Sequence, residues 1–178
     1  NALRLALARI LGENQGDIEE RIDLYESVLR ESRESSEHPD VHDKLETLYR
    51  LKEDWPSVID ILLRAGRIAV SDTVRRDKMF EAAELYSENL DSPEKAIEVY
   101  QEVLKDGGWD STCGHLLANL FEVTGHYDEL ANLIEEAADQ TSTEEERDAL
   151  RLRLSDILNT GLKRQQDAVA ILVDLLSS

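Results

Sequence analysis

Apolar side chains along this chain recur three and four residues apart, in two alternating sets. One set comprises Leu7 and Leu11; Leu45, Leu48 and Tyr49; Ala82, Ala83 and Tyr86; Leu117, Leu120 and Phe121; Leu154 and Leu158. The other reads Ile22-Tyr25-Leu29, Ile59-Leu62-Ala65, Ile97-Tyr100-Leu104, Leu130-Leu133-Ala137 and Val169-Leu172-Leu176. Each group lies on one face of a 3.6-residue helix, so the pattern predicts ten helices in five pairs. Helix starts fall where the pairs need them: Pro39, Pro56 and Pro93 occupy first-turn positions, and Ser142-Thr143-Glu144-Glu145 offers a cap followed by first-turn carboxylates. Gly107-Gly108 and Gly125 mark stops. The polar stretch from Glu31 to Glu37 reads as a longer turn between pairs.

The pairs repeat. A shift of 72 residues superimposes Leu90 on Leu162, Ala96 on Ala168, Ile97 on Val169 and Tyr100 on Leu172. The same frame accommodates Gly16-Asp17-Ile18 through Tyr25, Asp54-Trp55 through Leu62, and Gly125-His126-Tyr127 through Ile134. Its anchors Ile22, Ile59, Ile97, Ala131 and Val169 stand 37, 38, 34 and 38 residues apart, the period of helix–turn–helix solenoids. The expected architecture is all-α, a right-handed α-α superhelix of about five hairpins. Residues 1–178 form a single repeat domain, with units near 1–36, 37–71, 72–108, 109–141 and 142–178. Such a pattern has a physical cause: one amphipathic hairpin cannot cover its own apolar face, so neighbours must stack.

Composition agrees and narrows the function. Only 8 glycines and 3 prolines occur in 178 residues, too few for the tight turns of a sheet protein. Hydrophobic residues at 41% suffice for a core. Twenty basic against 39 acidic side chains give a net charge of −19, which disfavours nucleic-acid phosphates and acidic lipid surfaces. No apolar run is long enough to insert into a membrane, and cytoplasmic placement is the default expectation. One cysteine cannot form an internal disulfide.

At Gly125-His126-Tyr127-Asp128-Glu129-Leu130-Ala131 the chain closely resembles the turn and second-helix start of a tetratricopeptide repeat, TPR. Leu117-Ala118 and Phe121 match that family's large–small pair and following aromatic; Ala83, Tyr86 and Pro93-Glu94-Lys95-Ala96-Ile97 fit again in the third unit. Departures are Ala82 where the family favours leucine, Val58 and Arg21 at the crossing of the paired helices, and longer first helices near 72–90 and 142–160. The resemblance implies a non-catalytic scaffold that binds a partner protein or peptide on a concave surface built from the first helices. Carried over residue by residue, that surface comprises Asp40, Asp43, Thr47 and Arg50; Asp77, Phe80, Glu84 and Glu88; His115, Asn119 and Glu122; and Leu152, Asp156 and Asn159. Acids dominate it, and the family's basic carboxylate clamp is reduced to Arg50, so a basic or amphipathic segment is the expected ligand. Acidity that serves only solubility is the competing explanation.

Candidate chemistry is sparse. His38 and His42 stand four apart, a spacing that can share a metal, but Pro39 opens the helix between them and no further ligands cluster nearby. His42 therefore reads as packed between repeats. Cys113-Gly114-His115 lacks an oxyanion turn, and adjacent helical residues diverge. Glu19-Glu20, Glu135-Glu136 and Glu144-Glu145-Glu146 read as solvated faces and first turns. Trp55 and Trp109 near turns read as wedges between repeats, the alternative being a peptide-contacting platform. No cofactor motif occurs. At its two ends the chain shows apolar Ala2-Leu3-Arg4-Leu5-Ala6-Leu7-Ala8 and Ala168 to Leu176, where terminal repeats normally carry a polar outer face. The second functional expectation is thus a segment of a longer array, or self-association through the terminal repeats; a helical enzyme comes third.

Overall fold

The computed structural model describes residues 3, 6, 7, 10, 17–31 and 39–177 of the chain. Residues 3, 6, 7 and 10 are helical, where the first helix is expected, and Leu7 is exposed. Leu11, Gly16, His38 and the polar stretch after Glu31 lie outside the described residues. Then follow α1 (Ile18–Glu31), α2 (Pro39–Leu51), α3 (Trp55–Ile68), α4 (Asp72–Glu88), α5 (Pro93–Gly107), α6 (Ser111–Thr124), α7 (Tyr127–Gln140), α8 (Glu144–Asp156) and α9 (Gln165–Ser177), with a π-helical turn at Ile157–Gly161 after α8. No strand occurs among the described residues. The chain divides into two compact units, residues 1–99 and 100–178, the division falling within α5. In the first, α1 packs on α2, α2 on α3 and α3 on α4; in the second, α6 packs on α7, α7 on α8 and α8 on α9.

Local chemistry starts these helices. Asp54 accepts from the backbone N–H and the hydroxyl of Ser57, at 3.4 and 2.8 Å, ahead of α3, with Pro56 in the first turn. The Asp110 carboxylate accepts from the Cys113 N–H at 2.9 Å ahead of α6. Thr143 holds the cap position of α8 without a side-chain hydrogen bond, so Glu144, Glu145 and Glu146 support that terminus through its dipole instead.

The turns inside the hairpins share one device. A residue in the left-handed region occurs at Glu53 (φ 55°), Asp91 (φ 47°), Gly125 (φ 75°) and Lys163 (φ 58°), each six residues before an anchor of the repeat. The following N–H then closes back onto the end of the first helix: Asp54 to the Tyr49 carbonyl at 3.0 Å, Ser92 to Tyr86 at 2.9 Å, His126 to Phe121 at 2.9 Å and Arg164 to Leu158 at 2.7 Å. The closures at Tyr86 and Leu158 span one more residue than the other two. That extra residue is the lengthening visible in the sequence near 72–90 and 142–160. In the third hairpin it falls after α4; in the fifth, the π-helical turn accompanies it.

The predicted faces form the core. Ile22, Tyr25, Val28, Val41, Leu45, Leu48 and Ile61 cluster across α1 to α3, and Val58, Ile59, Leu62, Ala82 and Leu85 across α3 and α4. In the second unit Leu117, Phe121, Leu130, Ile134, Leu154 and Leu158 are buried. Each large apolar side chain so placed contributes roughly 1.5–3 kcal/mol. Several expected core positions shift by one residue: Val28 and Ala138 are buried, whereas Leu29 and Ala137 are only partly so. Val169, Leu172 and Leu176 depart further, standing exposed on α9 because no described helix covers that face.

Candidate partner-binding surface

The residues carried over from the repeat resemblance lie on the first helices of the hairpins. In the first unit Asp40, Asp43 and Thr47 are exposed on α2, with Arg50 half-buried at its end. Asp77, Glu84 and Glu88 are exposed on α4, with Phe80 half-buried. A charge network joins the two helices. Arg50 donates to Glu46 at 3.0 Å and to the Glu81 carboxylate, while Lys78 donates to Glu46 at 2.7 Å and lies 3.7 Å from Asp43. Burial pushes the Glu46 carboxyl up, but the hydrogen bonds from Lys78 and Arg50 outweigh it and hold it below the usual carboxylate value. Burial likewise lowers Lys78, and its bond to Glu46 more than reverses that, leaving the ammonium raised. Arg50 is therefore no open carboxylate clamp, since its guanidinium already serves two carboxylates.

Around this network the acids have fewer partners. Among the described residues no hydrogen bond or ion pair engages the side chains of Asp40, Glu84 or Glu88, and Asp77 has only Arg76 at 3.9 Å. Arg76 itself lies over the Phe80 ring, 5.9 Å from its centroid. This surface thus presents carboxylates outward and spends Arg50 and Lys78 internally.

In the second unit His115, Asn119 and Glu122 are exposed on α6, Leu152 and Asp156 on α8, and Asn159 on the π-helical turn. Arg153 donates to Glu122 at 3.1 Å, joining α6 to α8. His115 turns its Nδ1 toward the Ser111 carbonyl of its own helix, at 2.6 Å.

Glu46, Lys78, Glu81 and Arg153 were not among the sequence candidates, although they bind Asp43, Arg50 and Glu122. Their signal was present as opposite charges 31 or 32 residues apart, one first helix to the next: Glu46 with Lys78, Arg50 with Glu81, Glu122 with Arg153.

The remaining candidates are structural. His42 is buried, as expected of a packed residue. Cys113 is fully buried, donates to the Tyr100 carbonyl at 3.4 Å, and burial pushes its thiol up to about 12, a setting for an inert cysteine. Trp55 packs on the Val58–Leu85 cluster across α3 and α4. Trp109 packs against Gly114 of its own hairpin, where an added Cβ would stand 2.9 Å from the ring. The acidic runs at 19–20, 135–136 and 144–146 are exposed. Among the described residues no group of three His, Cys, Asp or Glu is placed to hold a metal, and no helix is long and apolar enough to cross a membrane.

No family model matches the chain, and no curated protein matches it. Solved structures similar to it include nearly identical TPR-like repeats attributed to a kinesin light chain of Podosopora anserina, at 18% identity and a TM-score of 0.49 over 99% of this chain and 93% of that one. YrrB, described as a TPR protein with an unusual peptide-binding site, aligns at 14% identity and a TM-score of 0.48, covering 98% of this chain and 84% of that one. MamA aligns at 14% and 0.48, covering 99% and 90%.

Proposed function

We propose that this chain is a non-catalytic interaction scaffold whose first helices bind a basic or amphipathic segment of a partner protein. The observation that carries this reading is the division of charge on α2 and α4. Arg50 and Lys78 are consumed by Glu46 and Glu81, while Asp40, Asp77, Glu84 and Glu88 face outward. At Asp40, Glu84 and Glu88 a ligand with lysines or arginines meets carboxylates that need no internal pair broken, and the net charge of −19 draws it in at long range. Half-buried Glu46 and Lys78 tie the two helices together beneath that surface. Thr47 on α2 adds a neutral hydroxyl and Phe80 on α4 an apolar contact.

The test is a titration of the purified protein against a basic peptide library at low and moderate salt. The variant D40N/E84Q/E88Q removes three outward acids and leaves the Glu46–Lys78–Arg50 network intact. Saturable binding that weakens roughly tenfold both with salt and in the variant supports the reading. Binding indifferent to both, or none, returns the acidity to a role in solubility.

A further inference from the structure

Of the chain's aspartates and asparagines, only Asp106 is followed by glycine. The pair closes α5: Gly107 is its last helical residue, and Gly108 turns the chain away in the left-handed region, at φ 77°. Asp106 and Gly107 are both exposed, and a Cβ placed at Gly107 would meet nothing within 4 Å. Among the described residues no hydrogen bond or ion pair engages the Asp106 carboxyl. The aspartates that precede serine or threonine are held more firmly. The Ser92 N–H after Asp91 donates to the Tyr86 carbonyl at 2.9 Å, and the Asp110 carboxylate accepts from the Cys113 N–H at 2.9 Å. Asp72 lies 3.8 Å from Arg75, and the Thr73 after it is branched at Cβ, which shields its nitrogen.

We propose that Asp106 is a site of covalent self-modification, in which its carboxyl and the Gly107 nitrogen close to a succinimide that reopens as isoaspartate. The nitrogen attacks Cγ, a C–N bond forms, and the carboxyl hydroxyl leaves with the amide proton as water. Water then adds at the main-chain carbonyl of the ring and breaks its bond to the Gly107 nitrogen, which stays attached through Cγ. Addition at Cγ instead restores aspartate. The mass is unchanged, and no oxidant or cofactor is consumed. Attack requires the Asp106–Gly107 peptide to rotate out of its helical orientation. Inside a helix that rotation breaks the ladder on both sides. At the last residue, with no side chain to unpack and a second glycine following, it disturbs only the terminal turn. The product inserts Cβ into the main chain four residues before Asp110, whose carboxylate caps α6, and leaves a free α-carboxylate on the side branch. The site is separate from the outward acids of α2 and α4.

The test keeps the purified protein for several weeks in mildly acidic buffer, natively and in guanidinium, and then digests it with endoproteinase Asp-N, which cuts before aspartate and not before isoaspartate. Fresh protein is cut before Asp91, Asp106 and Asp110; isomerisation at Asp106 replaces fragments 91–105 and 106–109 by an uncut 91–109. Methyl transfer from S-adenosylmethionine by an isoaspartyl methyltransferase labels the new α-carboxylate in that same fragment. The variants are G107A, where alanine fits the helical backbone and the open space, and D106N, whose amide leaves as ammonia through the same succinimide. Circular dichroism confirms the helicity of each. The expected result is accumulation of 91–109 in the native protein within roughly tenfold of the unfolded rate, at least roughly tenfold less in G107A, and more in D106N. No such fragment from the native protein, whatever the unfolded chain yields, overturns the proposal. Equal accumulation in G107A, or isoaspartate forming first at Asp91 or Asp110, overturns it as well.

Discussion

Arg50 on α2 pairs with Glu81 on α4; 72 residues further along, Glu122 on α6 pairs with Arg153 on α8. The two bridges occupy equivalent places in the two compact units, with their charges exchanged. In both units the adjacent first helices carry opposite charges at these two positions, in opposite order. The surroundings differ. Beside Arg50 lies Glu46, half-buried and bound to Lys78, whereas the residues equivalent to Glu46 and Lys78 are the apolar Ala118 and Leu150. Between its first helices the first unit has a network, where among the described residues α6 and α8 share the Glu122–Arg153 pair.

The largest difference between equivalent positions lies in the second helices. Leu62→Ala opens a cavity beneath α4 and should cost about 2–5 kcal/mol, while Leu172→Ala on α9 should cost about 1 kcal/mol or less. Urea unfolding of both variants checks this, and similar losses would mean that α9 is covered in solution. Next come the close approaches at glycine. A Cβ at Gly161 would stand 2.7 Å from the Tyr127 ring, against 3.3 Å from the unbranched Met79 side chain at Gly66. Gly161→Ala should lose about 1–3 kcal/mol and Gly66→Ala markedly less, read from the same melts.

Turn residues give a smaller effect of opposite sign. Glu53 and Gly125 hold the same left-handed position, so Glu53→Gly should stabilise by about 0.5–1 kcal/mol and Gly125→Ala destabilise by about 1 kcal/mol. Exchanging charges sharpens the opening comparison further. E122R/R153E should recover the stability lost by either single change, within the ~0.2–1 kcal/mol of an exposed pair. R50E/E81R should recover less, because the new Glu stands beside Glu46. Double-mutant cycles by thermal melting separate the two.

The smallest effect is in acid. The Glu46 carboxyl lies below its ordinary 4.5 in the folded protein, so its contribution is fully present above that value and is lost as pH falls through the folded one. Glu46→Gln should accordingly flatten the decline of stability below pH 4.5. Chemical melts between pH 3 and pH 6 show the difference.

The helices and their repeat were legible because each follows from short-range signals: Pro56 and Pro93 in first turns, Gly125 after Thr124, leucines every third or fourth residue. The left-handed turns at Glu53, Asp91 and Lys163 were not, since glutamate and lysine do not announce that conformation and aspartate does so far more weakly than glycine. The charge network was hidden for another reason. Glu46 and Lys78 are ordinary surface residue types 32 positions apart, and only the stacking of α2 on α4 turns them into partners. Exposure on α9 was half visible: its apolar character is in the sequence, but whether a neighbour covers it is a tertiary fact.

The scaffold proposal stands or falls on where a basic ligand sits. ¹H–¹⁵N correlation spectra recorded during titration with the tightest peptide from the library locate it directly. The account predicts shifts concentrated on Asp40–Arg50 and Asp77–Glu88, reversed by added salt and absent in D40N/E84Q/E88Q. Shifts spread evenly over the acidic surface, or missing from those two segments, would contradict it.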